Sequence, residues 1–336
     1  MKRLLHPLLI VFTLLAVYSC GDDDDDDGRT KFTVTFDTDG GSAVPSQTVK
    51  EGDKVAKPED PTKDNAVFVG WYIGDDRFNF VSTTVTADIT IKAIFRVCDA
   101  FSISETKQVY FSKGNLQYHC KNKEWRFAPN QYDGIGREGN SRIARDDYDG
   151  YIDLFGWGTG DNPILATTEN DHYANFTDWG VNIDGGNVWR TLAWNEWQYL
   201  IEEREDSRKK FTAAEVAGVP GLILLPDYFV LPEGISFRYG MAGYFDDGKY
   251  LTYKESNDIS ASDWQKLESA GAVFFPAAGS RAGNMVFGVG EEGFYWGASS
   301  RSGLHFYELD AYGGNLHGGQ GLDRYHGFSV RLARPL

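Results

Sequence analysis

The 336-residue chain is poor in cysteine, with three, and in histidine, with six. No two cysteines stand at zinc-knuckle spacing and the histidines are scattered, which leaves no pattern for a zinc site. The sequence contains no HExxH string, no nucleophile elbow and no Ser/His/Asp arrangement, so common hydrolase chemistry has no carrier. After the first twenty residues no apolar run is long enough to span a bilayer. Positive charge is in deficit, with 33 Lys and Arg against 49 Asp and Glu and a net charge of −16. Nucleic acid, whose phosphates need a basic footprint, is not an expected partner. Lysine is also missing from 301–326, a stretch that otherwise mixes small, aromatic, acidic and imidazole side chains.

What is present begins with Lys2 and Arg3, followed by a mostly apolar run over 4–17. That run is too short and wrongly flanked for a spanning helix, so residues 1–19 read as a signal peptide. It ends in Val17-Tyr18-Ser19-Cys20, which resembles a bacterial lipobox, with bulky Tyr18 as a departure. The resemblance implies cleavage before Cys20 and lipidation of its thiol; ordinary secretory cleavage is the alternative. Asp22 to Asp27 are six consecutive aspartates, a block that repels itself and buries nothing, so 20–30 is expected to be a solvated tether. The block resembles the acidic export signal of surface-exposed Bacteroidetes lipoproteins, which implies an outer-membrane lipoprotein on the cell surface. Loss of residues 1–19 leaves 31 basic against 49 acidic residues, a net charge near −18. Cys98 and Cys120 then remain, and pairing between them is open.

Residues 31–96 form a first unit. Phe32-Thr33-Val34-Thr35-Phe36 alternates strictly and meets a turn at Asp39-Gly40-Gly41. A short strand is expected around 49–55, another at 66–72 and an alternating one at 84–95. FTVTFDTDGG, VKEGDKV, PTKDNAVFVGWY and VTADITIKAIF, in this order, resemble the Listeria–Bacteroides repeat, or internalin B-repeat. Phe95 and Asn65 depart mildly from its usual tryptophan and glycine. The resemblance implies a small β-grasp-like module serving as a spacer or adhesive segment. Phe68, Trp71 and Tyr72 are expected in its core.

Residues 97–336 read as one larger domain. Val109-Tyr110-Phe111 and Asn115-Leu116-Gln117-Tyr118 are expected to pair around Ser112-Lys113-Gly114. In the Gly- and Asp-rich 132–184, only 152–158 looks fixed. A helix is expected over 194–204, with Thr191 as its candidate cap, and another over 262–269. Trp189, Trp194 and Trp197 read as core. Later strands are expected at 221–225, 272–276 and 293–296, with 328–332 closing the fold by alternation. WRTLAWNEWQYL, GLILLPDYF, WQKLESAGAVFFPAAGSR, GFYWGASS and GFSVRLAR resemble a Bacteroidetes and Fibrobacter surface-protein family with a C-type-lectin-like fold. The expected class is therefore α+β, a β-grasp-like repeat module followed by a C-type-lectin-like domain.

The segment 294–334 carries the functional expectation. Tyr295, Trp296, Leu309, Phe328, Val330, Arg331 and Leu332 read as a frame. The run between them resembles the variable region of a protein diversified by a retroelement, in which altered adenines turn asparagine codons into a limited set of residues. Glu308 and Gln320 lie outside that set and would be fixed. The expected ligand-binding residues are Arg301, Leu304, His305, Tyr307, Asp310, Tyr312, His317, Leu322, Asp323, Tyr325 and His326. Aromatic groups would supply contact area and imidazole or carboxylate groups would orient the partner.

The expected function is a lipid-anchored receptor or adhesin for a protein or glycan at the cell surface, with no cofactor, no metal and no catalysis. An envelope or fimbria-associated structural protein without a ligand site is the alternative. A third reading follows from the lectin-like fold, which formylglycine-generating enzymes share. Their chemistry needs an activated thiol pair, and only Cys98 and Cys120 are available. Asp146-Asp147-Tyr148-Asp149-Gly150 lacks the offsets of an EF-hand loop. Leu225-Pro226-Asp227 is the nearest string to a lectin sugar triplet, so calcium-dependent sugar binding has no sequence support, while structural calcium stays open. Glu202, Glu203, Glu205 and Asp206 read as a solvated face.

Overall fold

The computed structural model describes residues 28–240, 252–299 and 323–336, and the backbone of two short strands at 307–309 and 316–318. Alternation at the start of the chain produces a strand with one dry side. In β1 (Lys31–Asp37) Val34 and Phe36 are buried while the residues between them face solvent. It joins β2 (Gln47–Lys50), β3 (Ala66–Ile73), β4 (Asp76–Arg77) and β5 (Ile89–Val97) in a sheet of order β2-β1-β5-β3-β4. First and last strands lie side by side and parallel, in register from Val34↔Ile89 to Asp37↔Lys92. Trp71 is 2% exposed and is met edge-on by Phe36 at 5.0 Å and Phe68 at 5.6 Å. Val49, Val55, Phe78, Val85, Ile91 and Ala93 complete this core. Tyr72 is fully buried, as expected, whereas Phe68 is half-buried.

No linker separates β5 from the next strand. After three intervening residues the chain enters β6 (Phe101–Ser102), and then β7 (Gln108–Phe111). The Gln108 side-chain amide closes this joint, donating to the Val97 carbonyl at 3.1 Å and accepting the Val97 N–H at 2.7 Å. Arg96 donates to the Tyr199 hydroxyl at 3.0 Å. Behind Gln108 lies the carboxylate of Asp227. It accepts from Gln108 at 2.8 Å, from the Ser102 backbone and hydroxyl, and from Arg204 at 3.2 Å. The Arg204 and Asp227 side chains are 1% and 3% exposed, so this ion pair is dry.

The remaining strands form several small sheets around four apolar clusters among the described residues. β8 (Leu116–His119) lies between β9 (Glu124–Phe127) and β10 (Tyr151–Ile152), the last following the short α1 (Gly136–Asn140). α2 (Trp194–Gln198) continues as a π-helical turn over Tyr199–Glu203. β11 (Phe211–Val216) and β12 (Val219–Leu224) form a hairpin. After α3 (Tyr253–Ser256) come β13 (Asp258–Ile259), α4 (Ala261–Ser269) and β14 (Val273–Pro276), giving a sheet of order β13-β11-β12-β14. Trp264 and Leu267 of α4 pack under it on Ile223 and Phe274. β15 (Ser280–Ala282) and β16 (Met285–Phe287) form another hairpin, β17 (Tyr307–Leu309) pairs with β18 (Leu316–Gly318), and β19 (Ala333–Pro335) returns to β7. The mixture of strands and short helices is α+β, as expected.

Several local expectations are corrected. β7 and β8 do not pair with each other, because the C-terminal chain passes beside the turn that joins them. Ser112 N–H donates to the Leu332 carbonyl at 2.8 Å and Leu116 N–H to Val330 at 2.9 Å. Thr191 is not the cap of α2. Asp178 takes both its N–H and its hydroxyl, and the helix start is satisfied by Glu196, which accepts from Ala193 N–H at 2.8 Å and pairs with Arg190 at 2.6 and 2.7 Å. Of the three tryptophans read as core there, only Trp197 is fully buried. The strands expected at 293–296 and 328–332 are single bridges rather than ladders, Tyr295↔Ser329, Phe328↔Phe155 and Gly327↔Arg281.

Nor does alternation at 328–332 separate core from solvent. Ser329 and Arg331 are as buried as Phe328, Val330 and Leu332. The Arg331 guanidinium donates to the main-chain carbonyls of Ser112, at 3.1 Å, and of Phe274, and lies 5.1 Å from the Phe275 ring centre. Burial lowers its pKa to about 10.

Candidate functional site

The frame expected around the variable-type segment is rigid for identifiable reasons. Phe155 and Phe328 exchange both backbone hydrogen bonds at 2.9 Å. Trp296 N–H donates to Ser329, Ser329 N–H to Phe294, and the Trp296 indole to the Phe155 carbonyl at 2.6 Å. Phe294 stacks on Phe328 at 4.9 Å and Trp296 lies 4.4 Å from the same ring. Gly327 exchanges two backbone bonds with Arg281, and a Cβ added there would meet Arg281 Nε at 2.6 Å. Only glycine fits that approach. Arg281 is itself fully buried, and it donates to the carbonyls of Leu154 at 3.1 Å and Gly283 at 2.6 Å. Burial lowers its pKa to about 10.

From this base the segment departs and returns at nearly one place, and one residue holds both ends. The Trp157 indole donates to the Gly297 carbonyl at 3.1 Å, and the Trp157 N–H to the Arg324 carbonyl at 2.9 Å. The departing end is also tied by Ala298 N–H to Leu192, at 2.9 Å, and by Trp194 N–H to the Ser299 hydroxyl, at 2.7 Å. On the returning end Arg324 donates to the Tyr173 carbonyl at 3.2 Å and lies 5.5 Å from the Trp157 ring centre.

Between these ties the backbone of β17 and β18 forms an antiparallel ladder, in register as Tyr307↔Gly318, Glu308↔His317 and Leu309↔Leu316. Two of the expected contact residues, Tyr307 and His317, therefore belong to one ladder. Arg301, Leu304, His305, Asp310, Tyr312 and Leu322 lie outside the described residues, as do Gln320 and Cys20, the cysteine expected to carry lipid. The structure brings together the last three. Tyr325 and His326 stack at 4.5 Å, and His326 stacks in turn over Phe328 at 5.9 Å. His326 N–H donates to the Asp323 carbonyl at 3.0 Å, while the Asp323 side chain is exposed. Desolvation and the Asp323 carboxylate raise the Tyr325 phenol above its usual range. Tyr295, Trp296, Phe328, Val330, Arg331 and Leu332 are all buried, which agrees with their reading as frame; the Leu309 side chain lies outside what is described.

The fixed turn beside the returning end, Asn170–Tyr173, has no signal in the sequence. Its Tyr173 is 1% exposed and donates to the Thr167 carbonyl at 3.0 Å, so the turn is rooted in the core. Asn170 donates to Asp323 Oδ1 at 2.5 Å and its own Oδ1 accepts the Tyr325 N–H at 3.4 Å. Glu169, Asp171 and His172 are exposed on the same turn.

Cys98 and Cys120 are free thiols, and burial pushes the Cys120 thiol up to about 11. Asp147 is held by Arg145 at 3.0 Å and Asp149 by Lys121 at 2.8 Å. Asp227 of the Leu-Pro-Asp string is turned inward to Arg204. Among the described residues no group of three or more His, Cys, Asp or Glu is arranged to hold a metal, and no helix is long and apolar enough to cross a membrane. Glu202, Glu203, Glu205 and Asp206 are exposed, as expected, but Arg204 among them is buried.

Comparison with known proteins identifies the first unit. Residues 32–94 match the Listeria–Bacteroides repeat domain. The chain is also similar to a protein of Evansella cellulosilytica that carries the name Gly-rich membrane protein, at 30% identity over 77 residues. That likeness covers 22% of this chain and 9% of the relative, so the chain spans under a tenth of the relative's length.

Proposed function

We propose that the protein is a surface-displayed lipoprotein whose C-terminal segment presents a ligand-binding face. In this reading Cys20 carries the lipid, 20–30 is the tether, 31–96 the spacer, and 97–336 a C-type-lectin-like head. The repeat domain at 32–94 fits a cell-surface protein, and the membrane-protein name of the Evansella relative fits the same placement. The observation that carries the binding face is the double hold by Trp157. A segment rich in Tyr, His, Asp and Gly is closed at its base by buried residues that take no part in its own sequence variety. Such a base tolerates change above it, because its hydrogen bonds go to main-chain atoms.

The test is to display the parent and a variant with Tyr307→Ala, Tyr312→Ala and Tyr325→Ala on cells and screen both against a glycan array and immobilised surface proteins. Binding is expected from the parent and lost from the variant, with folding unchanged. Equal binding by the two sinks the assignment. Retroelement diversification is tested separately in the gene: a near-copy of the final segment rich in AAC or AAT codons beside a reverse transcriptase is expected. Surface display is tested by protease shaving of intact cells, where protection of the protein counts against it.

A further inference from the structure

We propose that Asn170 is a positioning residue for this face, clamping the returning end of the variable-type segment to the fixed turn Asn170–Tyr173. The proposal rests on the binding-face reading for its function, but the clamp itself is measurable without any ligand. Asn170 uses both ends of its side-chain amide, and both partners lie at the segment's exit. The Nδ2 group donates to Asp323 Oδ1 at 2.5 Å and Oδ1 accepts the Tyr325 N–H at 3.4 Å.

The turn that carries Asn170 is not free to follow the segment. Tyr173 is buried, its hydroxyl donates to the carbonyls of Leu165 and Thr167, and its own carbonyl accepts from Arg324 at 3.2 Å. A Cβ on Gly156 would stand 2.2 Å from the Tyr173 ring, which shows how closely the turn is seated. Asp323 and Tyr325 are thus attached to an element rooted in the core.

The geometry makes a specific demand on polarity. Asp323 accepts and the Tyr325 backbone donates, so residue 170 needs one donor and one acceptor. Asn170→Ala removes both. Asn170→Asp keeps the acceptor for Tyr325 but sets a carboxylate against Asp323. Pairing Asn170→Asp with Asp323→Asn reverses the donor and acceptor while preserving both bonds.

Amide hydrogen exchange on the full chain reads the clamp at the Tyr325 N–H. Exchange there is expected to rise about fivefold to tenfold in Asn170→Ala, as for loss of a neutral hydrogen bond together with its neighbour, and at least as much in Asn170→Asp. In the paired variant it is expected to return to within about twofold of the parent. The Phe155 and Phe328 amides of the frame are expected to keep their protection in every variant. Parent-like exchange in Asn170→Ala overturns the proposal, as does failure of the paired variant to restore protection at Tyr325. Failure of the tyrosine triple variant to change binding, with the exchange pattern intact, removes the binding-face reading and leaves the clamp standing.

Discussion

The buried pair of Arg204 and Asp227 offers the sharpest test of how the repeat and the following sheets are joined. Replacing Asp227 by alanine strips acceptors from Ser102, Gln108 and Arg204 together. The more expensive consequence is electrostatic. Arg204 stays 1% exposed with no counter-charge, and its pKa, already lowered to about 10 mainly by burial, loses the carboxylate that opposes that shift. Removing one partner of a dry pair typically costs about 3–5 kcal/mol, whereas replacing both by apolar groups is near neutral. For a cooperative unit of this size the single change should lower the melting temperature by roughly 6–20 °C. Denaturant unfolding of the parent, Asp227→Ala, Arg204→Met and the double variant closes the cycle. The double variant should recover most of the loss, which makes the coupling at least about 3 kcal/mol. A loss under about 1 kcal/mol in Asp227→Ala, or a double variant no more stable than that single one, would refute the reasoning.

Four more residues carry expectations of their own. Asp153 is buried and its pKa is raised to about 6 by desolvation, against backbone and Asn140 hydrogen bonds that lower it. Its contribution to stability is therefore full below about pH 4 and is lost as the pH rises through about 6. Denaturant midpoints of the parent and of Asp153→Asn across that window should diverge, and parallel curves would remove the argument. Trp71→Ala opens a cavity in the repeat and should cost about 3–5 kcal/mol. Amide exchange is expected to lose protection over β1 to β5 in that variant. The Cys120 thiol, held near 11 by burial, should resist iodoacetamide at about pH 8 until the chain is unfolded, as peptide mass spectrometry would show. Gly327→Ala forces Cβ against Arg281 and should destabilise by about 1–3 kcal/mol, measured by thermal melting.

The parts of the fold legible in the sequence are those where one face is dry and the other wet. At 32–36 the alternation is read directly, because Val34 and Phe36 face a core and their neighbours face water. At 328–332 the same pattern misleads, since Ser329 and Arg331 enter the interior as fully as the residues between them. A buried arginine satisfied by carbonyls has no local signature. The pairing expected between β7 and β8 fails for a related reason: the partner that occupies the turn, 330–332, is remote in the chain. In the candidate site, composition marks the segment and the aromatic frame. It does not mark Asn170, a single polar residue in a region without periodicity, which stands out only through its contacts with Asp323 and the Tyr325 backbone. Trp157 stands out between two glycines, but its double hold is a matter of three-dimensional geometry.

The parallel arrangement of β1 and β5 has a mechanical consequence. The chain enters the repeat at Lys31 and leaves it at Val97, and those two strands run in the same direction side by side. Tension between the residues before β1 and the body after β5 drags the two strands along their common axis in opposite senses. All rungs of the ladder are then loaded at once, in shear, instead of opening one after another from an end. With no slack between Val97 and Phe101, and with Gln108 locked to Val97, that load passes directly into the sheets beyond. Resistance to such tension is then governed by the rate at which this ladder breaks.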